Sequence, residues 1–377
     1  MMVARLSIGI NALAVVLYLR AERGSFAVAG TVAGALALGT GLGAPVLGRL
    51  VDRLGRRVLL PLAAGHAGGL VALVALGRTD VTALALVAAA FAAGASMPPV
   101  SSVLRALYPV LLRDRPELLR PAFALDSVLT ELLFVAGPLL VAALVALVAP
   151  QAALLVSAAT VLAGTAAFLA LLPGPPPQDG ERPPAMGPWG ALHSPGLRVV
   201  VATMLPFGIS FGMLEVVLPA FSRAEGRPEL AGVLIAVWSV ASAAGGFWFG
   251  VRVHARPLHD LHLALAIAVP IAFLPLALAP SPLWMALLVL PAGLPIAPLI
   301  ATRNELAGAT APLGAETEAY TWVLTAMVGG IALGAAFAGV LVDEAGWRTA
   351  ALGAAAVAAL GTALALRGRR VLITAVG

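Results

Sequence analysis

Cysteine and lysine are both missing from this chain of 377 residues, so all 23 of its basic residues are arginine. Without cysteine there can be no disulfide bond, no thiolate nucleophile and no cysteine-ligated metal site. The phosphate-binding sequence G-x-x-x-x-G-K-[ST] is missing as well, which argues against direct use of ATP. We therefore expect no cofactor, no metal and no enzymatic site. The arginine bias, together with the many alanines, glycines and leucines, indicates a GC-rich bacterial genome.

Charged residues are scarce and make up 11% of the chain, against about 25% in typical soluble proteins. Hydrophobic residues make up 61%, and the mean hydropathy is +1.01. The apolar runs recur from one end to the other, which indicates an integral membrane protein and not a soluble domain with one anchor. The arginines lie mostly in short links between these runs. Orientation in the membrane explains them better than binding to nucleic acid does.

The apolar runs suffice for twelve membrane-spanning helices. They are continuous and do not alternate with polar residues, which argues against strands. We therefore predict an all-α integral membrane protein. The predicted spans are residues 3–20, 26–50, 58–77, 81–108, 121–148, 152–172, 197–223, 229–252, 258–279, 282–305, 313–341 and 347–367.

A proline-rich segment divides the chain near its middle. Proline removes a backbone donor and fixes φ, so this segment cannot continue a membrane helix. We predict an N-terminal six-helix bundle at 1–172, an exposed cytoplasmic linker at 173–196 and a C-terminal six-helix bundle at 197–377.

The two predicted bundles contain similar short sequences at equivalent positions. Gly48 recurs 202 positions later as Gly250, and both follow an Ala-Gly pair at the same distance. A second echo relates residues 99–105 to residues 298–303, and each of these segments ends in arginine. Chance similarity between alanine- and glycine-rich helices explains either echo alone. Two echoes in the same order favour an internal repeat, which predicts pseudo-symmetric bundles.

The densest run of charge lies at residues 48–57, between two long apolar runs. Glycine there allows a tight turn, and arginine can pair with a carboxylate or with helix-end carbonyls. A simpler interpretation is a basic loop that only orients the helices. The order of residues supports a more specific interpretation, because it resembles the signature loop between helices 2 and 3 of the major facilitator superfamily. The matching residues are Gly48, Asp52, Arg53, Gly55, Arg56 and Arg57.

This resemblance implies a fold, a mechanism and an orientation. Members of the superfamily have two six-helix bundles around a central cavity and work by alternating access. In them the loop is cytoplasmic, and its aspartate and arginine latch the inner side. Most of the linking arginines fall on the side of the two termini, which agrees with that orientation. We therefore expect a monomeric, multi-pass protein of the bacterial inner membrane with both termini in the cytoplasm.

Charged residues inside the predicted spans cost about 2.5–3.5 kcal/mol each on insertion scales, so they need a partner or a cavity. Arg105 near the inner end of span 4 is the natural partner of Asp126 in span 5. Arg303, which is the counterpart of Arg105 in the second half, has acidic neighbours that include Glu318. We predict that Arg105–Asp126 and Arg303–Glu318 are structural or gating ion pairs.

Glu131 is the leading candidate for proton coupling. It lies about ten residues past the start of span 5, so about 15 Å deep and near the midplane. A carboxyl group at that depth favours its neutral form and can exchange a proton, although it could also be a hydrogen-bonded brace. Glu215 in span 7 is the second candidate. The neighbouring Gly137-Pro138 resembles part of the antiporter motif of superfamily exporters, but the expected flanking glycines are absent.

Aromatic residues in the second half could line an amphipathic pocket, although packing is the simpler interpretation. These candidates are Phe207, Phe211, Trp238, Tyr320 and Trp322. We predict a secondary transporter that exports a small amphipathic molecule in exchange for protons. Two alternatives remain open. One is a transporter of a polar metabolite such as a sugar or an amino acid, and the other is a membrane scaffold or sensor that transports nothing.

Overall fold

A computed structural model of the chain describes residues 2–172, 190–227 and 230–376. Within these ranges the regular structure is helical and no strand occurs, which confirms the predicted all-α fold. Most of the predicted linker lies outside the described residues. The division into bundles at 1–172 and 197–377 stays a prediction.

The described ranges contain thirteen α-helices, joined by turns and short 3₁₀ segments. The helices are α1 (Met2–Arg23), α2 (Phe26–Leu54), α3 (Leu59–Gly77), α4 (Ala83–Ala95), α5 (Val100–Leu111), α6 (Leu119–Leu147), α7 (Ala152–Leu171), α8 (Pro195–Ala224), α9 (Leu230–Val251), α10 (Leu258–Phe273), α11 (Pro282–Gly293), α12 (Ile296–Thr310) and α13 (Glu316–Val376).

Polar side chains mark where several of these helices begin. The hydroxyl oxygens of Ser25, Thr82 and Ser194 accept hydrogen bonds from backbone N–H groups three residues later, at 3.3, 3.4 and 3.3 Å. Each bond satisfies an N–H group that has no partner inside its helix. Pro195, the first residue of α8, has no such N–H group to satisfy.

Two predicted spans are interrupted helices. The span 81–108 consists of α4 and α5, with a non-helical stretch at residues 96–99, and the span 282–305 consists of α11 and α12, with a turn at 294–295. Each place still holds one helical segment long enough to span a membrane, and the interruption inside it was not predicted. Proline is the physical reason, because Pro98, Pro99 and Pro295 lack an N–H group and disfavour helical backbone in the residue before them.

Eleven helical segments among the described residues are long and apolar enough to cross a membrane. The last of them covers Glu316–Ala375, where we predicted two spans. Gly346 interrupts it with φ 81° and ψ 165°, at the predicted boundary between those spans. That the chain has twelve spans therefore stays a prediction. The described residues contain eleven long segments because the last two predicted spans form one segment with a break at Gly346.

The described chain forms two compact units. The first contains Met1–Ala106, Leu132–Gly190 and Leu313–Thr321. In it, α2 and α4 pack with their backbones in close contact, because a Cβ atom on Gly43 would lie 2.8 Å from the Ala95 carbonyl oxygen and one on Gly39 would collide with the Phe91 carbonyl. Small residues allow this close helix packing in membranes.

The second unit contains Leu107–Glu131, Ala191–Pro312 and Trp322–Gly377. In it, α8 packs against the adjoining part of α13 through another small-residue pair. A Cβ atom on Gly330 would lie 2.6 Å from the Leu205 carbonyl oxygen, and one on Gly334 would collide with the Ile209 carbonyl. Both units therefore hold their helices together by close backbone packing.

Candidate functional site

The Asp52 carboxylate caps the first turn of α13. Its Oδ1 accepts a hydrogen bond from the Thr317 N–H at 3.1 Å, and its Oδ2 accepts one from the Glu318 N–H at 2.8 Å. These N–H groups lie at the positive end of the helix dipole, where a negative charge is stabilising. Asp52 therefore joins the end of α2 to the start of a helix about 265 positions later.

Arg49 makes a second connection to the same helix end. Its Nη2 donates to Glu318 Oε1 at 2.7 Å and its Nε donates to Oε2 at 3.1 Å, so the pair is bidentate. The Glu318 side chain is 2% exposed and that of Arg49 is 31% exposed. A buried carboxylate needs such a partner, because an unpaired charge there would be costly. We call Arg49, Asp52 and Glu318 the latch cluster.

Two glycines of the signature loop have clear roles. Gly48 lies against α13, since a Cβ atom on it would lie 2.6 Å from Thr321 Oγ1 and 2.9 Å from Glu318 Cα. Gly55 ends α2 with φ 83° and ψ 168°. That backbone conformation is almost restricted to glycine. The other loop residues are arginines, of which Arg53 and Arg57 are exposed and Arg56 is half-buried.

A second helix contact resembles the first in geometry. Along α6 and α9, the Gly250 position meets the Ala124 side chain and the Gly246 position meets Val128, with Cβ atoms that would lie 2.8 and 2.9 Å away. Gly250 is the counterpart of Gly48 in the sequence repeat. Each of these glycines thus brings its helix against another helix, within one compact unit in each case. Only small residues allow such close packing.

The same α6–α9 contact positions Glu131. The Ser242 hydroxyl donates a hydrogen bond to Glu131 Oε1 at 3.2 Å. Ser242 is buried on α9, one turn from Gly246, and Glu131 is half-buried on α6, one turn from Val128. The carboxyl group of Glu131 is therefore held by a neutral donor and stays accessible.

Glu215 of α8 is in the same compact unit and is exposed. It lies one helical turn from Phe211 on the same helix. Glu131 and Glu215 therefore give this unit two carboxyl groups within its membrane-spanning helices. Such an arrangement favours a proton or a cation over an anion.

Three of the five predicted pocket aromatics form one cluster beside this acidic pair. The ring centroids of Phe207 and Phe211 are 6.5 Å apart, and those of Phe211 and Trp238 are 6.4 Å apart. Trp238 lies one helical turn from Ser242, and its buried Nε1 has no hydrogen-bond partner among the described residues. Tyr320 belongs to the other compact unit, and Trp322 is half-buried. The indole N–H of Trp238 is a donor available to a bound molecule.

The four residues of the predicted ion pairs are all buried. Arg105 is 8% exposed, Asp126 and Glu318 are 1% exposed, and Arg303 is 4% exposed. Arg303 donates to the Asn304 side-chain oxygen at 3.2 Å and lies against the sulfur of Met204. Glu318 is held by Arg49, as described above. The pairings Arg105–Asp126 and Arg303–Glu318 stay predictions.

One ion pair was not predicted. Arg120 at the start of α6 donates from Nε to Glu305 Oε2 at 3.0 Å and from Nη2 to Oε1 at 3.3 Å. The bidentate geometry indicates a defined contact between α6 and α12.

A buried chain of polar groups was also missed. Ser157 donates to Asn11 Oδ1 at 2.5 Å, the Asn11 amide lies 3.1 Å from His66 Nε2, and His66 Nδ1 lies 2.7 Å from the Ala93 carbonyl oxygen. Because a carbonyl can only accept, His66 carries its proton on Nδ1 and accepts from Asn11 through Nε2. Each of the three side chains therefore has at least one hydrogen-bond partner. We call it the His66 chain, and it joins α1, α3, α4 and α7.

The second-half counterpart of the signature loop differs from the first at the position of Asp52. His254 stands where Asp52 stands in the first half, and its ring packs on Phe249 with centroids 4.2 Å apart. Burial lowers the pKa of His254, and the charge of Arg120 lowers it further. His262 is 3% exposed on α10 and contacts the Thr302 hydroxyl at 3.1 Å.

Gly137 and Pro138 lie inside α6. A Cβ atom on Gly137 would lie 2.7 Å from the Gly9 Cα, so these two glycines bring α6 against α1. The motif therefore contributes close packing, and its part in transport stays a prediction.

The chain is similar in fold to known membrane transporters. A bacterial homologue of the iron transporter ferroportin, in an outward-facing state, has a TM-score of 0.76 and 16% identity over 99% of this chain and 96% of that one. The Escherichia coli fucose:proton symporter has a TM-score of 0.71 and 17% identity over 98% and 97%. A human organic anion transporter has a TM-score of 0.69 and 18% identity over 97% and 96%. These identities show a shared fold and no more. No curated protein sequence matches the chain.

The fold and the sequence together define a multi-pass membrane transporter of small molecules and not an enzyme. The family model of the Major Facilitator Superfamily matches residues 1–314, and the chain therefore belongs to that superfamily.

Proposed function

We propose that this transporter exports a small amphipathic molecule in exchange for protons, and that Glu131 carries the coupling proton. The hydrogen bond from Ser242 to Glu131 is the observation that supports this most. It holds an accessible carboxyl group at membrane depth with a neutral donor, which leaves the group free to gain or lose a proton. A fixed arginine partner would instead keep it ionised.

The neighbourhood of Glu131 favours a substrate that is weakly basic or cationic. Glu215 adds a second carboxyl group, and the Phe207–Phe211–Trp238 cluster adds aromatic faces. A cation is attracted by a carboxylate and by the π-face of an aromatic ring. Exposure of Glu215 to lipid would cost about 2.5–3.5 kcal/mol, so the proposal places its carboxylate in a water-filled cavity.

The latch cluster has a different part in the proposal. Closure of the inner side needs contacts that form in one state and break in the other. The carboxylate of Asp52 on the first turn of α13 and the Arg49–Glu318 pair are contacts of this kind. We place them on the cytoplasmic side of the bacterial inner membrane, together with both termini, and they stabilise the outward-open state.

Proton coupling can be tested in proteoliposomes with an imposed pH gradient. The probe is tetraphenylphosphonium, an amphipathic cation, with a neutral sugar and an amino acid as comparisons. We expect the wild type to move the cation and protons in opposite directions. Glu131→Gln should abolish gradient-driven transport but keep gradient-free exchange, Glu131→Asp should keep part of the coupling, and Glu225→Gln, at an exposed link, should behave as the wild type.

Three results would overturn parts of this proposal. Normal proton coupling in Glu131→Gln would remove that residue from the role. Transport of the sugar or amino acid in place of the cation would favour a polar-metabolite transporter. No substrate-dependent proton flux with any probe would favour a scaffold or sensor. A reporter fused after Gly377 tests orientation, because periplasmic activity would contradict a cytoplasmic C-terminus.

A further inference from the structure

A surface groove of about 460 Å³ runs between the first turns of α8 and the last turns of α13. Its walls include Val199, Ala202, Leu364 and Val371, and two arginines, Arg198 and Arg367, line it as well. A Cβ atom on Gly368 would collide with Val199, so the two helices meet closely along the groove. The groove therefore combines apolar walls with two positive charges.

Both arginines lie at the level of one membrane surface. Arg198 is in the first turn of α8, which begins at Pro195. Arg367 follows Trp347, the residue after the break in α13, by twenty positions. At about 1.5 Å per residue this is about 30 Å, the thickness of the hydrocarbon core of a bilayer. A groove at that level opens onto the region of the lipid headgroups.

The charges of the two arginines have no counter-charge in the groove. Both side chains are exposed, and neither has an acidic partner in the part of the chain that the structure describes. The nearby Arg369 differs, because it donates to Asp260 at 2.8 Å. Arg198 and Arg367 are therefore available to an external anion. A soluble anion would leave the apolar walls unused, whereas a phospholipid has a phosphate for the arginines and an acyl chain for the walls.

We propose that this groove binds one anionic phospholipid, with its phosphate between Arg198 and Arg367 and one acyl chain along Val199, Leu364 and Val371. The groove shares no residue with the Glu131 site or with the latch cluster, so the proposal does not depend on the proposed transport mechanism. Basic residues at a membrane surface attract anionic headgroups, and each contributes a several-fold gain in binding. The lipid would hold the start of α8 against the end of α13.

The test is retention of defined lipids by the purified protein, counted by native mass spectrometry. The protein is incubated with dioleoyl phosphatidylglycerol and, separately, with dioleoyl phosphatidylcholine. We expect the wild type to retain phosphatidylglycerol preferentially. Arg198→Gln and Arg367→Gln should each lower that retention about fivefold, and the double variant about thirtyfold. Arg113→Gln is the matched control, since it removes an exposed arginine that pairs with Asp114 away from the groove.

A second variant tests the apolar part of the site. Ala202 is exposed in the groove wall, so Ala202→Trp should fill the groove and lower phosphatidylglycerol retention while both arginines remain. Melting temperatures report folding, and the single variants test the site if the double variant does not fold. Equal retention of the two lipids by the wild type, unchanged retention in the arginine variants, or full displacement by inorganic phosphate would each overturn the proposal. The last of these would indicate a free-anion site.

Discussion

Arg49 holds both carboxylate oxygens of Glu318, at 2.7 and 3.1 Å, although the two residues are 269 positions apart. Glu318 is nearly inaccessible, whereas Arg49 keeps about a third of its side chain exposed. The pair therefore connects a buried acid to a partner that can return to solvent. This asymmetry suits a contact that forms and breaks during transport.

Removal of Arg49 should destabilise the protein by leaving Glu318 buried without this partner. We expect Arg49→Gln to lower the free energy of unfolding by about 2–3 kcal/mol, with much of the loss recovered in Arg49→Gln/Glu318→Gln. Chemical unfolding in detergent measures both values. Arg57→Gln, at an exposed position of the same loop, is the control. Additive losses in the two single variants would contradict energetic coupling.

Neutralisation of Asp52 should loosen the start of α13. Asp52→Asn keeps the side-chain shape but removes the negative charge at the helix N-terminus, a loss of about 1 kcal/mol. The chain has no cysteine, so a single cysteine can report on the site. We expect Thr317→Cys, which is buried, to react faster with a soluble maleimide when Asp52→Asn is present. Leu313→Cys, at an exposed position, should react equally in both backgrounds, and unchanged labelling of Thr317→Cys would argue against a latch.

Two glycines should resist substitution for backbone reasons alone. Gly55 and Gly346 have φ values of 83° and 81°, and a Cβ atom on either would have no neighbour within 4 Å. We expect Gly55→Ala and Gly346→Ala each to cost about 1–3 kcal/mol through backbone strain. Gly30→Ala is the control, because that position is helical and equally open. A neutral effect at Gly55 would show that the loop can adopt another backbone conformation.

The His66 chain should contribute to stability and not to transport. Asn11→Leu removes the group between Ser157 and His66, so the Ser157 hydroxyl and His66 Nε2 lose their partner in the membrane interior. We expect a loss of about 1–3 kcal/mol in the free energy of unfolding. Thr160→Val is the control, because that hydroxyl bonds only to the Ser157 carbonyl within its own helix. Equal stability of the two variants would show that the chain is not a brace.

The lowered pKa of His254 gives a pH dependence of defined sign. The folded state disfavours the protonated imidazole, so the unfolded state binds more protons below about pH 6.5. Stability should therefore fall as the pH drops through that value. Unfolding at a series of pH values should show a smaller decline in His254→Gln than in the wild type. An identical decline in both proteins would exclude a contribution from His254.

Sequence reasoning located the helices and the loop better than it located partners. Continuous apolar runs determine where spans lie, and the charge pattern at 48–57 identifies the family. The interruptions at 96–99 and 294–295 were missed because proline also occurs inside unbroken helices here, as Pro138 does in α6. Whether proline breaks or bends a helix depends on the tertiary contacts around it.

Partners were harder to predict, since they depend on which helices meet. Arg303 was proposed for Glu318 because it is near in sequence, and the contact of Arg49, which is 269 positions away, was not predicted. The contacts of His66 could not be predicted either, because its partner Asn11 is 55 positions away and on another helix. The sequence alone shows aspartate at position 52 and histidine at the equivalent position 254. The structure adds that Asp52 accepts hydrogen bonds from the first turn of α13.

The break at Gly346 has a consequence for how the chain enters the bilayer. A single non-helical residue separates the two helical segments of α13, and the exposed charged residues Asp343, Glu344 and Arg348 flank it. The link between the two segments is therefore a tight turn and not an extended loop. We expect the two segments to enter the bilayer together, so that a tag inserted at Gly346 disturbs membrane insertion as well as transport.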